Sequence, residues 1–261
     1  MTEALRRLSG MLAEAERTGK ALSLQFLQSA GLIPGTINAG MAAQANATKA
    51  IGRNVAGWKL ALTPTGTAIA APILDALSVN DTDCAEVSKP GAKAIEVEVC
   101  FRFNRDVPPP RSGHPYSRED AIGMIGSIHL GIELIGFRID GNSDIPLPLF
   151  LADRLGNHSY VIGPRISRDL VDRLASQEEP PLSLCVDDRG IEQFSDAPRH
   201  PQGDPLLPLI AFMNNPCDRL GGLREGQFAT TGSLCGVIPV QSSSDLHVRG
   251  PMLSHMRLVM T

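Results

Sequence analysis

The chain has 261 residues, 43% hydrophobic and 20% charged, which is enough apolar material for one large domain or for a small domain beside a larger one. Its 24 basic and 28 acidic residues leave a net charge of −4, a balance that gives no electrostatic grip on nucleic acid or anionic lipid. No apolar run approaches the ~20 residues that span a bilayer. Arg6 and Arg7 are followed by no uninterrupted apolar block of the signal-peptide kind. The cysteines (Cys84, Cys100, Cys185, Cys217, Cys235) are scattered and form no C-x-x-C pair, so we expect a reducing, cytoplasmic setting without disulfide or zinc–thiolate frameworks.

Residues 2–17 carry Leu5, Leu8, Leu12 and Ala15 at helical spacing between Glu and Arg residues, which predicts an amphipathic helix. A second helix is expected at about 36–51 and includes Gln44; together they form a helical cap over residues 1–52, packed on a core that runs from 53 to 261. Asn54–Thr63 reads as a short strand with the chain's one tryptophan, Trp58, beside Lys59. Apolar neighbours bury Lys59, and a buried ammonium needs an anion, which is as well a structural carboxylate as a ligand. The run 69–78 is apolar except for Asp75, and an acid so placed more often caps a turn than serves a site.

In 93–103, Ile95, Val97, Val99, Phe101 and Phe103 alternate strictly with Glu96, Glu98, Cys100 and Arg102, which is the period of a β-strand. Residues two apart share a face about 7 Å apart, so Glu96 and Glu98 project the same way. Such a pair belongs either to a solvated face, the commoner case, or to a site where a hard divalent cation relieves the repulsion. Pro108–Pro110 ends this strand. Ser117 is the N-cap of a helix expected to run to about Ile128. Residues 131–139 read as a buried strand in which Glu133 stands alone among apolar residues, and a lone buried carboxylate wants a cation.

A proline-rich loop follows from Asp140, and the second half of 151–163 is a strand. Residues 181–194 form a hairpin turning at Asp188-Arg189-Gly190, and 204–220 a helix. Residues 226–240 give a strand, a Thr231-Gly232-Ser233 turn and a second strand. Hydroxyls beside a glycine can hold an anion, although such triplets are most often plain turns.

In order and spacing, from about Ala42 to Val240, Gly57-Trp58-Lys59, Glu96-x-Glu98, Gly131-Ile132-Glu133, Ala152-Asp153 and Thr231-Gly232-Ser233 resemble the fumarylacetoacetate hydrolase superfamily. They resemble most its 2-oxo-4-pentenoate hydratase / 4-oxalocrotonate decarboxylase branch. The resemblance implies an α+β fold: a mixed, coiled β-roll with an N-terminal helical cap and peripheral helices. It also implies a homodimer or larger homo-oligomer, or a complex with a paralogous hydratase or decarboxylase. It implies Mg²⁺ or Mn²⁺ held by Glu96, Glu98 and Glu133, with water and a small 2-oxo acid substrate completing the shell. Lys59 would then lie near the substrate carboxylate and enol, Asp75 would take part in proton transfer, and Trp58, Asp153, Thr231, Gly232 and Ser233 would surround the substrate.

A 2-oxo carboxylate is an oxygen chelate for a hard cation, which agrees with this set of donors. The implied activity is that of a lyase hydrating 2-hydroxy-2,4-dienoates, as in aromatic-compound catabolism. Decarboxylation, C–C hydrolysis of an acylpyruvate and a non-catalytic scaffold role stay open. Three departures from the branch stand out: no acid in Gly136-Phe137-Arg138, a single acid at Asp75-Ala76, and Arg154 where the branch has Asn after Ala-Asp. They fall on the substrate-defining surroundings and leave the metal platform intact. The candidates for an acid or base near the distal carbon are Asp75, Asp153, Asn157 and His158, of which His158 taken alone reads as a loop or core histidine.

Overall fold

A computed structural model describes residues 2–79, 84–88, 91–141, 145–176, 182–251 and 254–261; residues 142–144 of the expected proline-rich loop and residue 181 of the expected hairpin lie outside them. In chain order, α1 (Glu3–Thr18), β1 (Leu22–Ser23), α2 (Leu24–Ser29) and α3 (Ile37–Ile51) precede β2 (Gly57–Leu62), β3 (Ala68–Ile73), β4 (Ala76–Ser78), β5 (Cys84–Val87) and β6 (Ala94–Phe103). There follow α4 (Arg118–Met124), β7 (Ile125–Ile135), β8 (Ile139–Asp140), α5 (Leu147–Ala152), β9 (Asn157–Ile166) and α6 (Asp169–Ser176). The chain closes with β10 (Leu184–Asp188), β11 (Ile191–Asp196), α7 (Leu207–Asn214), β12 (Phe228–Ser233), β13 (Ile238–Pro239), β14 (Asp245–Arg249) and β15 (His255–Met260).

The large sheet runs β3-β2-β12-β6-β7-β9-β4, with β13 added against β6. It is mixed: β12 lies parallel to β2 and β4 parallel to β9, while β6 pairs antiparallel with β12 and β7. β3 and β4 sit at opposite edges, yet only Leu74 and Asp75 separate them in the chain. Two extended residues reach only about 7 Å, so the sheet must curl until its edges nearly meet. The result is the expected α+β architecture with a coiled β-roll. At the seam the Tyr160 amide donates to the Asp75 carbonyl at 2.9 Å. A second sheet, β11-β10-β14-β15-β5, is formed in part by the C-terminal strands.

The pleat divides the roll into two faces. Ile95, Val97, Val99 and Phe101 pair with Leu134, Ile132, Leu130 and Ile128, all buried, so one face of β6 and β7 is continuous hydrophobic core. The other face turns Glu96, Glu98 and Glu133 inward, beside a small apolar cluster of Ile73, Cys100, Tyr160, Ile162 and Phe228. The helices α1, α2, α3 and α5 pack on each other through Leu8, Leu12, Leu27, Ala43, Ala47 and Leu149. Pro148 and α3 touch so closely that a Cβ on Gly40 would lie 2.1 Å from the Pro148 carbonyl oxygen.

Several expected elements have different bounds. The helix after Ser117 stops at Met124 because Ile125 already pairs with Phe103 on β6. Thr231-Gly232-Ser233 is no hairpin turn; it ends β12 in a bulge, where Gly232 has φ +135°. The apolar run 69–78 is two strands on opposite edges, and the helix expected over 204–220 is confined to Leu207–Asn214. Among the described residues no helix is long and apolar enough to cross a membrane.

Candidate metal centre

On β6 the pleat sends Glu96 and Glu98 to one face, and register pairs Glu96 with Glu133 on β7. The three carboxylates each offer an oxygen within 4.8 Å of the others. Glu98 and Glu133 are wholly buried, whereas the Glu96 side chain keeps 15% of its surface. Glu98 faces Gly131 across the ladder, and that glycine has a steric purpose: a Cβ there would lie 2.3 Å from the Tyr160 hydroxyl. The Tyr160 ring therefore reaches across β7 to Thr230, at 3.0 Å, and the Thr230 hydroxyl donates to Glu98 Oε2. Each hydroxyl has one proton, so Tyr160 must be the donor to Thr230.

Lys59 enters the same wall from β2, which pairs it with Thr230. Its Nζ lies 2.6 Å from Glu133 Oε2 and 3.0 Å from Glu96 Oε2. Asn157 Nδ2 donates to Glu133 Oε1 at 2.8 Å. Glu98 Oε1 is buried with no hydrogen-bond partner among the described residues. Burial, followed by the neighbouring Glu133, pushes the Glu98 carboxyl well above the usual range. Burial raises Glu133 to about 7 although Lys59 opposes it. For Lys59 burial lowers the ammonium's pKa, but Glu133 and Glu96 outweigh it and drive it up.

Among the described residues one ammonium stands against three carboxylates, which leaves the wall short of positive charge. A hard divalent cation fits this donor set, since it takes carboxylate oxygens and would satisfy the orphaned Glu98 Oε1. Glu96, Glu98 and Glu133 are the residues that would hold it.

The other expected site residues lie in several places. Trp58 faces away from Lys59 on the same strand: it is fully buried, 6.0 Å from the Phe212 ring, and its Nε1 donates to the Gly222 carbonyl at 3.1 Å. It packs the back of the strand. Asp153 is buried and its carboxylate is gripped by the Arg138 amide and guanidinium. Arg154 pairs with Glu16 of α1 at 2.8 Å. Asp75 lies half-buried at the roll's seam. Ser233 is the register partner of Glu98, and its hydroxyl donates to the Gly236 carbonyl at 2.7 Å. Gly232, in the bulge, is overlain by His200, whose Nε2 would lie 3.1 Å from a Cβ placed there.

His200 Nδ1 accepts from the Gln202 amide, so Nε2 carries the proton that bonds the Thr231 carbonyl at 2.8 Å. The Thr231 hydroxyl is buried without a hydrogen-bond partner among the described residues. Sequence reasoning missed Thr230, Tyr160 and His200, and it offered Asn157 only as a group near the distal carbon of the substrate, whereas the structure sets it on Glu133. Thr230 carried a signal, as it shares the pleat of Phe228 and pairs with Lys59.

Comparison with protein-family profiles finds no match, and comparison with curated proteins finds none either. Among solved structures, the chain is similar to 4-oxalocrotonate decarboxylase from Pseudomonas putida G7 complexed with magnesium and adipate, with TM-score 0.73, 20% identity and 99% of each chain covered. It is similar to fumarylpyruvate hydrolase from Pseudomonas aeruginosa in complex with Mn²⁺ and pyruvate, with TM-score 0.51, 14% identity, and 78% of this chain and 89% of that chain covered. It is also similar to 2-hydroxyhepta-2,4-diene-1,7-dioate isomerase from Mycobacterium marinum, with TM-score 0.50, 16% identity, and 78% and 74% covered. The curled sheet and these likenesses together show that the chain has the fold of the fumarylacetoacetate hydrolase superfamily.

Proposed function

We propose that this chain is a divalent-metal-dependent lyase acting on small 2-oxo acids. The observation that carries the reading is the buried wall where Glu96, Glu98 and Glu133 converge, with Lys59 beside them and one Glu98 oxygen that has no hydrogen-bond partner among the described residues. Magnesium in one structural neighbour and Mn²⁺ in another support Mg²⁺ or Mn²⁺ as the ion. When bound, such a cation supplies Lewis-acid polarisation of the 2-oxo and carboxylate oxygens. Lys59 adds a fixed positive charge beside the oxygen on which negative charge develops, in a largely buried wall. Asp75, a single acid at the seam, passes one proton between carbon and water. The bulge at Thr231-Gly232-Ser233 cradles the substrate carboxylate, and the enzyme works as a cytoplasmic homo-oligomer.

The preferred reaction is hydration of a 2-hydroxy-2,4-dienoate to a 4-hydroxy-2-oxo acid. Decarboxylation of a longer oxo-diacid calls for a cation on the distal carboxylate, and Arg154, a cation that could serve there, is engaged by Glu16. The second reading is nevertheless decarboxylation, favoured by the likeness to 4-oxalocrotonate decarboxylase over 99% of both chains.

The test supplies 2-hydroxypenta-2,4-dienoate and 4-oxalocrotonate with Mg²⁺ and follows loss of the conjugated chromophore and release of CO₂. Hydrated product without CO₂ supports the first reading and CO₂ without hydrated product the second. Silence on both substrates removes both.

A further inference from the structure

Between α5 and β9 the chain makes a single 3-10 turn, Arg154–Gly156, in which all three residues have positive φ: 54°, 52° and 70°. Only the last is a glycine. Left-handed backbone is unfavourable for residues with a Cβ, and it persists where the surroundings over-determine it. Here they do. Arg138 grips both ends of the turn, with its amide and Nε on the Asp153 carboxylate, Nη2 on the Asp153 carbonyl at 2.6 Å and Nη1 on the Asn157 carbonyl at 2.7 Å. Glu16 of α1 closes the clamp, 2.8 Å from Arg154 Nη2 and 3.5 Å from Arg138 Nη1. The Gly136 amide donates to the Gly156 carbonyl at 2.9 Å, and a Cβ on Gly156 would lie 2.8 Å from the Phe137 ring.

What this clamp delivers is the first residue of β9. Asn157 is fully buried, and its Nδ2 donates to Glu133 Oε1 at 2.8 Å, while Glu133 Oε2 faces Lys59. A carboxylate only accepts, so this contact fixes which way the Asn157 amide points. It also fixes the plane of the Glu133 carboxylate. Asn157 Oδ1 is buried with no hydrogen-bond partner among the described residues. The amide therefore leaves an acceptor beside the carboxylate wall for an O–H borne by water or a ligand.

We propose that Asn157 is a positioning residue for Glu133, and that the Arg138–Asp153 clamp with Glu16 holds it there, so that helix α1 helps to set the cation affinity of the roll. The proposal rests on reading Glu96, Glu98 and Glu133 as the metal centre. Groups that orient a metal-binding carboxylate typically change affinity by about 10- to 100-fold when removed.

The test is a titration of the full-length, metal-free protein with Mn²⁺, following free Mn²⁺ by electron paramagnetic resonance, with no turnover measured. Asn157→Leu, close in size and lacking the donor, should weaken binding by about 10- to 100-fold while circular dichroism stays unchanged. Asn157→Ala provides the same reading should the leucine variant misfold. Glu16→Gln, remote from the carboxylates, should weaken binding a few-fold. Added to Asn157→Leu it should change nothing more, because its effect travels through Asn157; a merely destabilising role would add in full. Wild-type affinity in folded Asn157→Leu, or full additivity with Glu16→Gln, overturns the proposal. Wild-type protein that binds no Mn²⁺ overturns the metal centre itself, and the two failures are thereby told apart.

Discussion

Gly131 shows how much one missing methyl decides. Without a Cβ at this position the Tyr160 hydroxyl can cross β7 and reach Thr230, which in turn donates to Glu98. Gly131→Ala would drive its Cβ to 2.3 Å from that hydroxyl, in a ring only 1% exposed and unable to swing away. Overpacking of this kind costs about 1–3 kcal/mol. The expected outcome is a lower midpoint in urea and loss of Mn²⁺ binding; an unchanged midpoint would show that Tyr160 has room to move. For Lys59 the physics splits stability from turnover. Lys59→Met removes an ammonium that pairs with Glu96 and Glu133, so turnover should fall at least ~100-fold while Mn²⁺ binds more tightly. Weaker Mn²⁺ binding in this variant would mean that Lys59 holds the carboxylates in place more than it repels the cation. Lys59 was legible because a lysine in an apolar strand has to meet an anion. Trp58 was not, because sequence order groups it with Lys59 whereas the pleat turns consecutive residues to opposite faces. Asp153 was misleading for another reason: its partner, Arg138, lies fifteen residues away along the chain, and no local pattern shows the pairing.

At the scale of elements, strict alternation fixed β6 and, through it, the shared face of Glu96 and Glu98. The limits of β7 were hidden, since Ile122, Ile125 and Ile128 continue a helical spacing past Met124, and the competing ladder to Phe103 becomes visible only once β6 is in register. The bulge ending β12 was hidden likewise: Thr-Gly-Ser chemistry suits a turn as well as a bulge. Helix α1 was plain from its apolar stripe, but its ionic tie to the roll was not. Burial raises the Glu16 carboxyl, yet Arg154 and Arg138 outweigh that and hold it below its ordinary 4.5. A carboxylate with a depressed folded value adds stability that is present above its unfolded value and fades as pH falls through the folded one. The melting-temperature gap between wild type and Glu16→Gln should accordingly be open at pH 7 and close towards pH 3. A gap that persists or widens on acidification would remove the ion pair as the source of the coupling.

For the whole molecule, the governing fact is closure. Adjacent strands β3 and β4 occupy opposite edges of the large sheet, and rolling that sheet turns one face of each strand into a shared interior. That interior holds an apolar patch of Ile73, Cys100, Tyr160, Ile162 and Phe228 beside a wall with more carboxylate than ammonium. Only folding assembles the wall, because its carboxylates come from β6 and β7 and its lysine from β2. A cation that binds there and not to the unfolded chain stabilises the fold by RT ln(1 + [L]/Kd), about 2.7 kcal/mol at a hundredfold excess over Kd. At roughly 2–4 °C per kcal/mol for chains approaching this size, Mn²⁺ or Mg²⁺ should raise the melting temperature by about 5–10 °C. Glu98→Gln separates this effect from general salt stabilisation. Burial already disfavours the Glu98 anion, so the neutral amide should leave the metal-free melting temperature within a few degrees of wild type. The metal-induced rise should disappear, because the orphaned oxygen is gone as an anionic ligand. A Glu98→Gln protein that still gains 5–10 °C with Mn²⁺ would place the cation elsewhere on the chain and leave the buried carboxylates as a purely structural group.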